Sequence, residues 1–329
     1  SGIAFKSPKN RGGGKLEDLH RLLRDKCNIA STHALFRTYN RETLDLIQDG
    51  GYKLILDEVC DVVEQIPISP KDMEILMGRN MIKVEKDGVV RWTKDDYEGR
   101  FDDLKEMCGT GNVILHNGCL MLWIFPVEVF AAFSEVTILT FMFDAQIQKY
   151  YFDIHGVQYI KIGTVCENGK YRFADRPNFP EYVTTLRDRI HILEDRVNEI
   201  GDGYADLSKS WYDRAGKVKG QPLLRQLKNN IQNIYRNKFC SPADKNLWTT
   251  FKNYQGVLKG KGYTAGFLPF NMRATNAYRN RDHLAYCANV FYNPIIKQYF
   301  VSHGACIKRE QEEKYALSEM IQWIWRLTY

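Results

Sequence analysis

The amino-acid sequence predicts an α/β protein built on parallel sheets. Residues 54–56 form an apolar run that ends abruptly in two adjacent carboxylates, Asp57 and Glu58. A second apolar run, residues 136–143, carries Thr140 towards its end. Amphipathic stretches separate such runs along the first half of the chain. This alternation of strands and helices is typical of a parallel sheet covered by helices.

Length and composition exclude several classes of protein. With 329 residues the chain is long enough for two domains, at roughly 100–200 residues each. A hydrophobic content of 44% and an aromatic content of 13% are enough for packed cores, so we do not expect a disordered chain. The net charge of +6 permits a nucleic-acid partner without requiring one.

The cysteines and the hydropathy pattern favour a cytoplasmic protein. Eight cysteines are scattered without a C-x-x-C pair, which argues against a zinc ribbon or a disulfide framework and favours a reducing compartment. No apolar run reaches the length of about 18 residues that a membrane span requires, and the sequence has no signal peptide. We therefore expect no membrane partner.

The first half of the chain divides into short elements. Residues 16–26 and 41–48 are predicted helices, because apolar residues recur in them at helical spacing. Residues 2–6 and 27–31 are predicted strands. Further along we expect a hairpin that turns at residues 87–88, a charged helix at 95–107, strands within 113–123 and a helix at 125–133.

The second half begins with residues 150–165, whose composition predicts strands. A long helix follows, with an apolar seam spaced like that of a coiled coil. Its seam residues are Val183, Leu186, Ile190, Leu193, Val197 and Ile200. We expect this helix to pack on its own domain rather than to form a dimer, so a monomer is favoured. Residues 315–326 form a closing amphipathic helix.

Residues 11–15 contain the sequence GGGK, which invites comparison with a phosphate-binding P-loop. The pattern G-x-x-x-x-G-K-[ST] is not met, because Lys9 occupies the first glycine position and Leu16 follows Lys15. A flexible loop before a helix is therefore expected here.

Two segments of the second half are basic. Residues 214–236 contain no Asp or Glu and include Lys217, Lys219, Arg225 and Lys228. This pattern is typical either of a nucleic-acid-binding face or of a solvated helix. Residues 270–283 mix arginines with Asn, Thr and Tyr, which suits phosphate contact and base stacking or else a polar surface loop.

Taken in chain order, four stretches resemble the motifs of superfamily-two helicases, the DEAD/DEAH-like translocases. Residues 29–35 (IASTHAL) resemble the element before the Walker-B strand, and residues 54–58 (LILDE) resemble motif II. Residues 138–142 (ILTFM) resemble motif III, and Gln322-x-x-x-Arg326 resembles the start of motif VI. The sequence around these motifs looks most like that of phage- or prophage-encoded DEAD-like helicases. The resemblance implies two RecA-like domains, residues 1–147 and 148–329. The first would be incomplete at its N-terminal side, and the second would carry a helical insertion at about 180–247.

The resemblance also implies ATP and Mg²⁺ as cofactors and assigns roles to individual residues. Asp57 would bind Mg²⁺ through water, and Glu58 would orient or deprotonate the attacking water. Arg326 would reach the γ-phosphate as an arginine finger, with Gln322 and Thr140 beside the nucleotide. The residues implied to hold nucleic acid, with DNA favoured over RNA, are Thr32, His33, Arg273, Thr275, Asn276, Arg279 and Arg281.

The sequence departs from the helicase pattern at several positions. It contains no P-loop, Val59-Cys60 follows the carboxylate pair where the family has Ala-His or Ala-Asp, and Trp325 holds the glycine position of motif VI. We expect a fragment of a helicase whose upstream part carries the P-loop. The alternative is a non-hydrolysing nucleic-acid-binding or interaction module. A nuclease built on Asp57 and Glu58 is least favoured, because the usual lysine-bearing signature is missing.

We predict that the chain of 329 residues binds ATP weakly and does not hydrolyse it, because no loop in it can cradle the β- and γ-phosphates. A phosphate-release assay on the purified chain, with and without DNA, measures this. Steady ATP turnover that the substitution Glu58→Gln abolishes would contradict the prediction.

Overall fold

The computed structural model of the protein describes residues 3–10, 12–174, 188, 190–272, 278 and 280–325. Within these ranges the chain is a mixed α/β protein with parallel strand pairs, as the sequence predicts. It divides into two units. The first consists of Ser1–Gly156 and Asn293–Ile307, and the second of Val157–Tyr292 and Lys308–Tyr329.

The elements are numbered in chain order. The helices are α1 (Gly14–Arg24), α2 (His33–Phe36), α3 (Arg41–Gly50), α4 (Pro70–Gly78), α5 (Asp102–Gly109), α6 (Glu128–Ala131), α7 (Ile147–Ile154), α8 (Lys209–Lys217), α9 (Pro222–Asn233), α10 (Gln255–Leu258), α11 (Pro294–Ser302) and α12 (Arg309–Trp325). The strands are β1 (Lys53–Asp57), β2 (Val63–Gln65), β3 (Ile82–Val84), β4 (Val90–Trp92), β5 (Val113–His116), β6 (Leu120–Ile124), β7 (Glu135–Leu139), β8 (Gly163–Glu167), β9 (Lys170–Ala174), β10 (Asn246–Thr249) and β11 (His283–Tyr286).

In the first unit β1 and β7 form a parallel pair, with Lys53 opposite Glu135 and Asp57 opposite Leu139. The chain between these two neighbours forms a separate antiparallel sheet in the order β2-β6-β5. The hairpin of β3 and β4 adjoins that sheet through a bridge between Val89 and Ile114. An antiparallel subdomain is therefore inserted between two adjacent parallel strands.

Local sequence explains where the elements before β1 and inside the hairpin begin and end. Asn40 and Thr43 form a reciprocal capping box at the start of α3, and Gly51 ends that helix in the left-handed conformation. In the hairpin, Gly88 adopts a φ of 86°, which a residue without a Cβ tolerates. The predicted helix at residues 41–48 and the predicted hairpin are thus confirmed.

An aromatic cluster forms part of the core of the first unit. Phe36 and Phe125 stack with ring centroids 5.1 Å apart, and Phe130 lies 5.2 Å from Phe125. Tyr151 of α7 is fully buried, and its hydroxyl donates to the carbonyl oxygen of Phe125 at 2.6 Å. Burial raises the pKa of the Tyr151 phenol far above its usual range, so the hydroxyl stays protonated and donates at all physiological pH values.

The second unit contains a second parallel pair, β10 and β11, with Asn246 opposite His283. Trp248 of β10 is fully buried and packs against Tyr263 and Phe267. The apolar face of α9 belongs to the same core. At the start of β10 only glycine fits at position 266, because a Cβ there would lie 1.9 Å from the carbonyl oxygen of Asn246.

The prediction of strands within residues 150–165 is wrong for the first part of that range. Residues 147–154 form α7, and only Gly163–Glu167 is a strand. Aromatic residues favour strands locally, but Tyr150 and Tyr151 face the core from one side of a helix, where both are buried. Burial of that face outweighs the local preference.

Two predicted helices are shorter than expected. The charged helix at 95–107 is confirmed only from Asp102, because Gly99 has a φ of 148° and its backbone N–H is bound by the Asp102 carboxylate at 2.9 Å. The predicted helix at 125–133 is limited to α6. Strand β7 likewise ends at Leu139, so Thr140 lies just beyond it.

The predicted coiled-coil seam is wrong where the structure describes it. Val183 and Leu186 lie outside the described residues. Residues 190–195 are not helical, and Arg196–Gly201 is a 3-10 helix. Asp195 begins this turn, because its carboxylate accepts from the Val197 N–H at 3.2 Å and pairs with Lys238. A continuous helix through that point is therefore interrupted.

In the part of the chain that the structure describes, no helix has both the length and the apolar character needed to span a membrane. The eight cysteines are free thiols, and Cys60, Cys108 and Cys287 are buried.

We predict that Tyr151→Phe lowers the free energy of unfolding by about 1–2 kcal/mol, because it removes the donor to a buried carbonyl oxygen and leaves that oxygen unsatisfied. Urea denaturation followed by fluorescence measures the change. The control is Tyr171→Phe, at a residue with 79% exposure in β9, for which we expect a change within about 0.5 kcal/mol. Equal stability of the two variants would contradict the role given to the Tyr151 hydroxyl.

Candidate functional site at the carboxyl ends of two parallel strands

The carboxyl ends of β1 and β7 bring together the two segments that the sequence singled out. Asp57 is the last residue of β1, and Thr140 directly follows β7. The backbone N–H of Glu58 donates to the carbonyl oxygen of Leu139 at 2.9 Å, which extends the ladder by one bond. Asp57, Glu58 and Thr140 are therefore neighbours at the edge of a parallel sheet where ligands of α/β proteins bind.

A side-chain contact joins the two strand ends. The Thr140 hydroxyl donates to Glu58 Oε2 at 3.4 Å, a long hydrogen bond that spans 82 positions of sequence. Glu58 is half-buried and Asp57 is exposed. One carboxylate is thus held by the neighbouring strand, while the other remains open to solvent.

The backbone is strained at this edge. Glu58 has a φ of 73° and Met142 a φ of 49°, both in the left-handed region. A non-glycine residue there costs roughly 1–2 kcal/mol. Such residues persist where the surrounding structure holds them, and they cluster at functional sites. The ladder bond of Glu58 to Leu139 is one interaction that holds the conformation.

A buried glutamine fixes the chain just after the carboxylates. The Oε1 of Gln148 accepts from the Cys60 N–H at 3.0 Å, and the side chain is almost fully buried. Burial, with a smaller contribution from Asp61, raises the pKa of the Cys60 thiol to about 12. The thiol is therefore neutral and inert, and Cys60 serves as packing rather than as a nucleophile.

The two carboxylates at the end of β1 carry negative charge that no ion pair balances among the described residues. Among the described residues, no Lys or Arg forms an ion pair with Asp57 or Glu58, whereas Lys53 and Glu135 pair at 2.6 Å at the opposite ends of the same strands. No group of three or more His, Cys, Asp or Glu side chains comes together to hold a metal within the described ranges. A divalent ion at Asp57 would therefore need water or phosphate oxygens as its remaining ligands.

Thr32 and His33, predicted to touch nucleic acid, lie at the start of α2 in the first unit. The Thr32 hydroxyl accepts from the Leu35 N–H at 3.3 Å and so caps the helix. His33 is the first helical residue and is half-buried. Thr32 thus has a structural role that is independent of any ligand.

The other predicted site residues belong to the second unit. Arg281 donates from Nη1 to the carbonyl oxygens of Ala243 and Asn246, so much of its hydrogen-bonding capacity is used within the fold. Gln322 is half-buried in α12. The remaining predicted residues lie outside the described ranges, and they are Arg273, Thr275, Asn276, Arg279 and Arg326.

Sequence reasoning missed Gln148 and the strained conformation of Glu58. A glutamine inside the run IQKYYF carries a weak signal, because a polar residue among buried aromatic ones needs a partner. The strain at Glu58 carries no sequence signal, since glutamate is compatible with many backbone conformations.

Two family models match parts of this chain. One, described as the YonV middle domain, matches residues 63–123, and the other, described as the YonV C-terminal Rossmann-like domain, matches residues 184–328. The first range coincides with the antiparallel subdomain from β2 to β6, which the fold inserts between β1 and β7. The second range includes the parallel pair of β10 and β11, so the C-terminal part is Rossmann-like.

The chain is also similar to a curated protein, the SPbeta prophage-derived uncharacterized protein YonV of Bacillus subtilis (strain 168). The two are 43% identical over 321 residues, which cover 95% of this chain and 76% of the relative. No solved structure matches the chain significantly.

We predict that Cys60 resists alkylation in the folded protein. With a pKa of about 12, its thiolate fraction at a pH near 8 is roughly a thousandfold below that of an ordinary thiol. Because the pKa is raised, reactivity should appear only as the pH rises towards that value. Iodoacetamide labelling with peptide mass spectrometry measures it, with the exposed Cys119 as the reference. Labelling of Cys60 as fast as Cys119 would contradict the packing described here.

Proposed function

The chain belongs to the YonV family, and from that premise and the geometry at Asp57 and Glu58 we propose that it is part of an ATP-dependent helicase or translocase that acts on nucleic acid. We further propose that both parallel-sheet units are RecA-like domains. The observation that carries the proposal is the contact between Thr140 and Glu58 across two adjacent parallel strands. In the superfamily-two helicases that the sequence resembles, motif III couples hydrolysis to strand movement, and Thr140 would have that role here.

The order of the motifs along the sheet supports this proposal. The segment that resembles motif II ends β1, and the segment that resembles motif III ends β7, its parallel neighbour. A parallel pairing requires a crossover connection, and here the crossover contains the whole middle domain. Because β1 and β7 are parallel neighbours, the two motifs lie at the same edge of the sheet although they are far apart in sequence.

The residues at this edge suit a hydrated Mg²⁺. Mg²⁺ keeps several waters and is held by one or two carboxylates together with phosphate oxygens of the nucleotide. Asp57 is exposed and has no ion-pair partner among the described residues, so it can bind the hydrated ion. When bound, Mg-ATP would supply the phosphoryl group whose transfer to water drives movement.

Each side chain has a distinct task in the proposed reaction. Glu58 orients the attacking water and accepts its proton, because its carboxylate is fixed by Thr140. Thr140 senses the state of Glu58 and transmits it along β7. From the resemblance alone, Gln322 and Arg326 act on the nucleotide, and Thr32, His33 and the arginine-rich segment 273–281 contact nucleic acid.

The alternative function is a nucleic-acid-binding module that does not hydrolyse ATP. The absence of a P-loop pattern from the sequence favours it. In that case the carboxylate pair would only end a strand, and its removal would change no ligand binding.

We predict that Asp57→Asn weakens Mn²⁺ binding to the chain by about tenfold or more, because it removes one of two adjacent carboxylates. Electron paramagnetic resonance of free Mn²⁺, used as a spectroscopic substitute for Mg²⁺, measures the affinity. The matched control is Asp49→Asn, an exposed residue of α3, which should leave Mn²⁺ binding unchanged. Equal Mn²⁺ binding by the parent chain and Asp57→Asn would reject the proposed metal role.

A further inference from the structure

The loop between α8 and α9 forms an open basic cleft, here named the α8–α9 cleft. Its volume is about 500 Å³, and its cationic lining residues are Lys217, Lys219, Arg225 and Lys228. Gly216, Gly220 and Gln221 also line it, and Val218 and Val257 add apolar side chains. Four positive charges, from the end of α8, the loop and the first two turns of α9, thus line a single concave surface.

No described carboxylate neutralises the charge of the cleft. Residues 214–236 contain no Asp or Glu. Among the described residues, none of the four cationic side chains has a carboxylate partner within ion-pair distance. Like charges in a concave site repel one another and create a positive local potential. An anion is attracted to this potential, and its binding relieves the repulsion.

The cleft is held in shape before any ligand binds. Gln221 has a φ of 46° and donates from its side-chain amide to the carbonyl oxygen of Gly216 at 3.0 Å, across the loop. Arg225 donates to the carbonyl oxygen of Gly220. Helix α9 is anchored beneath the loop, because Leu224 and Leu227 are buried in the core. A preformed site loses less conformational entropy on binding than a flexible one.

The first turn of α9 adds peptide dipoles to the same surface. The helix begins with Pro222 at its first turn, and no side chain caps it. Free N–H groups at a helix N-terminus favour anions. This effect reinforces the four side-chain charges and does not define the site by itself.

We propose that the α8–α9 cleft binds the phosphodiester backbone of nucleic acid. A small-molecule pocket encloses most of its ligand, whereas this cleft is open and no aromatic side chain lines it to stack a base. Its cations are distributed over a loop and two helical turns, which suits successive phosphates of a chain. The inference rests on the nucleic-acid partner of the proposed function and adds a contact surface outside the motif residues.

The test is the triple variant Lys217→Ser/Lys219→Ser/Lys228→Ser in the full chain. The probes are a fluorescein-labelled oligothymidine and a duplex of equal length, and anisotropy gives Kd at several salt concentrations. Three lost phosphate contacts should reduce the magnitude of the slope of log Kobs against log salt by about 2 for the single strand. Kd near 0.1 M salt should rise between about tenfold and a hundredfold.

The control is Lys83→Ser/Lys86→Ser/Lys94→Ser, which removes the same charge from three exposed lysines of the first unit. A second variant, Lys217→Arg/Lys219→Arg/Lys228→Arg, keeps the charge and should retain both affinity and salt slope. Circular dichroism melting shows whether each variant folds. If the triple serine variant does not fold, the single variants Lys217→Ser, Lys219→Ser and Lys228→Ser replace it, and each should reduce the magnitude of the salt slope by about 0.7.

Three outcomes would overturn the inference. They are an unchanged salt slope in the serine variant, an equal loss of affinity in the control, and displacement of the oligonucleotide by equimolar ATP, which would assign the cleft to a free nucleotide. Mn²⁺ binding at Asp57 should be the same in the serine variant and the parent chain. The proposed metal role of Asp57 and the proposed nucleic-acid binding by the α8–α9 cleft are therefore tested independently.

Discussion

The parallel pairing of β1 with β7 is the constraint on which the first unit depends. Parallel neighbours cannot be joined by a tight turn, so the chain must leave the end of one strand and return to the start of the other. Here the crossover carries an antiparallel subdomain that matches the YonV middle domain. The backbone bond from the Glu58 N–H to the Leu139 carbonyl oxygen joins the two strands at their carboxyl ends.

The strand ends combine features that reduce stability, and packing elsewhere in the first unit offsets them. Glu58 occupies a left-handed conformation next to an exposed carboxylate that lacks an ion-pair partner among the described residues. The buried aromatic cluster around Phe125 and the hydrogen bond from Tyr151 supply favourable free energy in the same unit. Strained residues of this kind persist only where the surrounding structure holds them, and they cluster at functional sites.

The two units carry surfaces of opposite charge. In the first, a parallel pair ends in carboxylates, which suit a hydrated divalent cation. In the second, a Rossmann-like unit with its own parallel pair carries a basic cleft on its helical part, which suits a polyanion.

The sequence by itself determined the α/β class, the ends of α3 and the β3–β4 hairpin, because these depend on local periodicity, caps and glycine. It also singled out Asp57, Glu58 and the basic residues 214–236 as candidates, since charge and residue type are readable directly. The sequence-based predictions were wrong for α7, for the start of the helix after Gly99 and for the coiled-coil seam. Burial of Tyr150 and Tyr151, the Asp102 carboxylate and the Asp195 cap outweighed local preference there. Only the tertiary structure decided that Thr140 meets Glu58 and that four cations share one cleft, because contacts across 82 positions, or around a folded loop, arise from packing that no local pattern encodes.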